Sequence, residues 1–136
     1  MEFLLYLTPV GHQILTGVLM KNFKVQENAP ICKQQKQTFG YVKSPDFIVC
    51  LDNIKNTISP VKHYVNETVY HETVHVIQSC IGQPIGIKNP ILSPEKLQDV
   101  IKSTQTYGSS SVYEVEAYYL EDKPEEVNRY LKKYCF

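Results

Sequence analysis

The 136 residues are 43% hydrophobic and 21% charged, the composition of one folded domain with material for an ordinary core. Fourteen basic residues balance fourteen acidic ones, and Arg129 is the only arginine, which removes the electrostatic case for a nucleic-acid or membrane-surface partner. No apolar stretch approaches a membrane span. The opening MEFLLYLTPVG lacks the basic start and long apolar run of a signal peptide, so a cytoplasmic protein is expected. Cys32, Cys50, Cys80 and Cys135 form no C-x-x-C pair, and in that setting they are expected to be reduced, buried thiols.

Residues 1–28 alternate loosely between apolar and polar, and Gly11 and Gly17 interrupt a helical reading, so short strands are expected there. The segments TFGYVKSP (38–45) and FIVCLDNI (47–54) are rich in β-branched and aromatic residues and bounded by turn formers, which predicts two further strands. The period then changes. Ser59-Pro60 predicts a helix start, with Ser59 as the cap and Pro60 at the first helical position. Val65, Val69, Glu72 and Val76 fall on one stripe of that helix, and Thr68, His71, His75 and Gln78 on its neighbour. Gly82 and Pro84 end it. Ser93-Pro94 opens a second helix with Leu97, Val100 and Ile101 on its apolar face, reaching Tyr107. The serines of 108–111 lead into a third, VYEVEAYYLED, and Pro124 opens a short fourth. Strands first and helices after predict an α+β class with a small antiparallel or mixed sheet.

The stretch His71-Glu72-Thr73-Val74-His75 carries the chemistry. Histidines four apart on a helix point the same way, so both imidazoles can reach one ion. Glu72 is rotated off that line and would lie beside the metal instead of on it, where a base can take a proton from water. A catalytic zinc needs a third protein ligand. Glu114 and Glu116 are candidates, on a separate helix about forty residues downstream. Residues two apart on a helix diverge by about 200°, so only one of the pair can face the ion. Ala117, one turn beyond Glu114, would let the two helices approach closely.

His71, Glu72, His75 and then Glu114 with Ala117 resemble the zincin metallopeptidases, specifically the gluzincin branch with H-E-x-x-H and a downstream E-x-x-A glutamate. The resemblance spans roughly residues 47–120, with FIVCLDNI similar to the strand that borders the substrate cleft in such enzymes. It implies a minimal zincin-like fold over a single domain, 1–136. It also implies one zinc per chain, held by His71, His75 and Glu114, and a zinc-bound water activated by Glu72 as general base and acid. The activity implied is hydrolysis of peptide bonds in a peptide or protein substrate. In versions of the motif where glutamate directly precedes the alanine, Glu116 would be the ligand instead. Where many gluzincins carry an Asp or Asn to hold a ligand histidine, this chain has Tyr118. Tyr107, Tyr113, Tyr118 and His63 are candidates for stabilising an oxyanion. His12 reads as structural, and Cys135 is the one cysteine that could mask the metal in a latent form. Two alternatives share these residues: a non-catalytic zincin-like binding or assembly module, and a zinc amidohydrolase acting on a non-peptide amide.

Overall fold

The computed structural model describes residues 1–136. A 3-10 turn at Glu2–Tyr6 leads into helix α1 (Pro9–Met20), strand β1 (Lys24–Glu27) and the short helix α2 (Pro30–Gln34). Strands β2 (Gly40–Lys43) and β3 (Asp46–Val49) follow, then helices α3 (Leu51–Thr57), α4 (Val61–Ile81), α5 (Pro94–Tyr107), α6 (Ser111–Leu120) and α7 (Pro124–Cys135). The class is α+β, with a small mixed sheet near the N-terminus and helices after it. The sheet order is β1-β3-β2. β1 runs parallel to β3, from Lys24 opposite Asp46 to Glu27 opposite Val49. β2 runs antiparallel to β3, from Gly40 opposite Val49 to Lys43 opposite Asp46.

The expectation of strands in the first 28 residues is corrected: Pro9–Met20 is helical, and β1 alone is strand. Thr8 caps α1 by accepting from the Gly11 N–H at 3.1 Å, with Pro9 in the first turn. Gly11, Ile14, Leu15 and Val18 are buried at helical spacing. The glycines do not break this helix because they lie where it meets other elements. A Cβ on Gly11 would stand 3.0 Å from Asn66 Oδ1, and one on Gly17 would stand 2.8 Å from Leu131 Cδ2. FIVCLDNI is also corrected, because strand gives way to helix at Leu51. At the start of α4 Ser59 caps nothing: Pro60 is still extended, at φ −78° and ψ 139°, so the helix begins at Val61.

Helix α4 runs through the centre of the molecule. Val65, Val69, Val74, Val76 and Ile77 are fully buried in the main core with Phe3, Ile14, Val18, Phe47, Val49, Leu120 and Leu131. β3 alternates as a strand should: Phe47 and Val49 enter this core, while Ile48 points to a smaller cluster with Ala29, Cys32 and Cys50. The expectation of reduced thiols is corrected too. Cys32 is bonded to Cys50 and Cys80 to Cys135, and no free cysteine is left, Cys135 included. No helix is long and apolar enough to cross a membrane.

Candidate metal centre

His71 and His75 face out of α4 toward the first turn of α6, which carries Glu114. The Nε2 atoms of His71 and His75 lie 3.4 Å and 3.2 Å from the two carboxylate oxygens of Glu114. One ligand atom from each of the three residues falls within 4.8 Å of the others, a spacing that suits a single ion. Glu116 points elsewhere. It accepts hydrogen bonds from the backbone N–H groups of Ile85, Gly86 and Ile87 and from Gln78 Nε2. Of the two glutamates it is therefore Glu114 that meets both histidines, as the 200° divergence requires. Ala117 is fully buried.

The far nitrogen of each imidazole is also held. His71 Nδ1 lies 2.9 Å from Glu121 Oε1. An ionised carboxylate only accepts, so Nδ1 carries a proton toward Glu121; Nε2 faces a second carboxylate, Glu114, and offers its lone pair once the proton shared with Glu114 has left. His75 Nδ1 lies 2.8 Å from Gln78 Oε1. The Gln78 amide is oriented by its own donations to Tyr113 O and Glu116 Oε1, both 3.0 Å, which leaves its oxygen facing His75. Both histidines thus turn Nδ1 to an acceptor outside the centre, and the nitrogens that face Glu114 are both Nε2.

Electrostatics separate the carboxylates. Burial alone would raise Glu114, but its hydrogen bonds to His71 and His75 hold it well below the usual carboxylate range. Ser109 Oγ donates to it as well, at 3.2 Å. Burial would lower both imidazoles, yet Glu114 and, for His71, Glu121 outweigh burial and raise them. Glu72 is 7% exposed and moves the other way: burial pushes it up, against the opposing pull of His71 and His75. It is pinned from the sheet side by Gly40, where a Cβ would stand 2.7 Å from Glu72 Cγ. The donor set, two imidazole nitrogens with a carboxylate and a second carboxylate alongside, fits zinc in its chemistry.

A family model for the domain of unknown function DUF8637 matches residues 3–136. The chain belongs to that family. No curated protein and no solved structure matches it.

The tyrosines of this DUF8637 domain differ in their surroundings. Tyr118 sets its ring edge-on to His71 at 4.5 Å between centroids, with its hydroxyl 2.8 Å from Ser103 Oγ. Tyr113 lends its carbonyl to Gln78. The Tyr107 hydroxyl is hydrogen-bonded to Thr38 Oγ1. Burial raises Tyr107, its bond to Thr38 opposes this, and the charges of Glu72 and Glu114 add to the rise. His63 is exposed and 3.6 Å from Glu67, and His12 is exposed on α1. A cavity of about 500 Å³ beside the centre is lined by residues including Thr8, His63, Asn66, Glu67 and Tyr70, and it reaches the site through Glu121.

Sequence reasoning missed Glu121 and the role of Gln78. Both had a signal: Glu121 follows Glu114 by seven residues, two helical turns on the same face, and Gln78 continues the His71–His75 stripe.

Proposed function

We propose that this domain is a small zinc-dependent metallopeptidase of the gluzincin kind, with His71, His75 and Glu114 as ligands and Glu72 as general base. The observation that carries the reading is the convergence of two Nε2 atoms and the Glu114 carboxylate within 4.8 Å, beside a buried Glu72. Zinc bound there would polarise the scissile carbonyl and make water more acidic. Glu72, its affinity for a proton increased by burial, takes the proton from the attacking water and returns it to the departing amine. Tyr107 is the proposed partner of the developing oxyanion: its hydroxyl, bonded to Thr38, is kept protonated and able to donate by burial and by the charges of Glu72 and Glu114. The substrate class is peptide or protein, and neither nucleic acid nor membrane is proposed as a partner. The two disulfides favour an oxidising compartment over the cytoplasm expected from the opening residues.

Elemental analysis of protein purified without chelator should return one zinc per chain, lost in His71→Ala and in Glu114→Ala. Glu72→Gln should keep the zinc and lose turnover of a peptide library by about 100-fold or more. Hydrolysis undiminished in that variant would sink the mechanism. A second reading, a metal-stabilised module without catalysis, draws on one observation: the cavity beside the centre is lined by Glu121 but by none of His71, His75, Glu114 and Glu72. It predicts bound zinc with no hydrolysis of any peptide or formyl-amide substrate.

A further inference from the structure

Glu116 is 3% exposed. A buried carboxylate is costly unless it is fully hydrogen-bonded, and here every partner is an amide N–H. Gln78 Nε2 and Ile85 N donate to Oε1 at 3.0 and 2.8 Å; Gly86 N and Ile87 N donate to Oε2 at 2.7 and 3.2 Å. Three successive backbone amides converging on one carboxylate form an anion nest. The chain achieves it by turning left-handed at Gly86, φ +91°, a conformation natural to glycine. Pinning a loop would need only those three amides. The fourth donor, Gln78, leads to the metal centre.

With Nε2 committed to Glu116 and to Tyr113 O, Gln78 can present only its oxygen to His75 Nδ1. Were the amide reversed, its NH₂ would face His75 Nδ1 and favour the tautomer whose lone pair points away from Glu114. We propose that Glu116 is a positioning residue for His75: through Gln78 it fixes the imidazole tautomer, and the amides of Ile85, Gly86 and Ile87 fix Glu116 in turn. The loop that follows α4 thereby tunes the metal affinity of the centre. The bond between His75 and Gln78 exists without metal, where the Glu114 carboxylate competes with it for the ring proton at Nε2, so the tautomer is read with that carboxylate removed; the effect on affinity rests on the zinc reading above.

The test records imidazole nitrogen-15 spectra of metal-free protein in a Glu114→Ala background, at a pH where His75 has stopped titrating, and, with Glu114 intact, zinc affinity by competition with a chromogenic chelator. The proteins are the parent, Glu116→Gln and Gly86→Ala. The glutamine cannot accept at both of its terminal atoms, so either the nest or the bond to Gln78 is lost. Gly86→Ala lies outside the metal centre, and its Cβ meets nothing within 4 Å, so it acts through backbone strain alone. It also keeps the test open if Glu116→Gln fails to fold. The parent should show His75 protonated at Nδ1. Both variants should shift it toward the Nε2-protonated form, with zinc affinity about 10- to 100-fold weaker in Glu116→Gln and less so in Gly86→Ala. A parent-like tautomer and affinity in the folded variants, or a parent already protonated at Nε2, would overturn the proposal. Tautomer shifts in a parent that holds no zinc would uphold the positioning role and overturn the zinc reading and the effect on affinity.

Discussion

Burial and the charge of Glu121 set Glu67, one turn before His71, apart from ordinary carboxylates: its pKa is raised to about 7, with Lys96 pulling the other way. In the unfolded chain the same group titrates near 4.5. Between those values the folded state binds more protons than the unfolded one, so this residue makes stability fall as pH rises through the window. Glu67→Gln should therefore differ little from the parent in Tm below the window and be the more stable above it. A Tm difference equal on both sides would refute the shift. The metal centre has the opposite polarity. Raised imidazoles and a lowered Glu114 hold protons between them in the metal-free protein, and those on the histidines must leave when zinc binds. Zinc affinity should accordingly rise with pH, and titration calorimetry in buffers of different ionisation enthalpy should register proton release. An affinity indifferent to pH would argue against imidazole ligation.

At the scale of elements, the approach of β2 to α4 determines where Glu72 sits. Gly40 leaves no room for a side chain: a Cβ would stand 2.6 Å from Thr68 Cγ2 and 3.0 Å from Glu72 Oε2. Gly40→Ala should cost about 1–3 kcal/mol by overpacking and lower turnover beyond that loss of folded protein, since Glu72 or the strand must move. Denaturant titration alongside kcat separates the two effects, and unchanged kcat in folded variant would remove Gly40 from the site. What was legible in the chain follows the same division between local and distant causes. The i,i+4 pair His71 and His75, and the rule that only one of Glu114 and Glu116 can face them, are matters of helix geometry within a few residues; the choice of Glu114 rests on the E-x-x-A resemblance. Glu121 is equally local, one turn beyond Tyr118 on the face of Glu114, where the family pattern directs attention to Tyr118 alone. Gly11 and Gly17 misled because their cause is distant: they fit α1 against Asn66 and Leu131, from elements more than fifty residues away. The nest around Glu116 is equally remote from sequence, since it joins α6 to amides about thirty positions earlier.

Across the whole molecule, two disulfides close loops of the chain. Cys32–Cys50 spans 18 residues and lies in the small cluster under β3. Nearby, the Asn53 side-chain amide donates to the carbonyls of Cys32, Gln35 and Thr38, which fixes the segment leading to Thr38 and its bond to Tyr107. Cys80–Cys135 spans 55 residues and joins the last turns of α4 and α7. α7 packs Val127 and Leu131 into the main core, so this bond clamps the central helix to the terminal one. Loop-closure entropy gives about 3 kcal/mol for the shorter loop and about 4 kcal/mol for the longer. Replacing Cys80 and Cys135 together by Ala should thus cost the more stability, with the core contacts of α7 fraying first. Replacing Cys32 and Cys50 should cost less in stability and more in turnover, because the segment carrying Thr38, the hydrogen-bond partner of Tyr107, is loosened. Denaturant midpoints and peptide-cleavage rates on the two double variants would test that inversion. Equal losses of both quantities in both variants would show that neither disulfide acts locally on the site, and intact mass before and after reduction establishes that the bonds are formed.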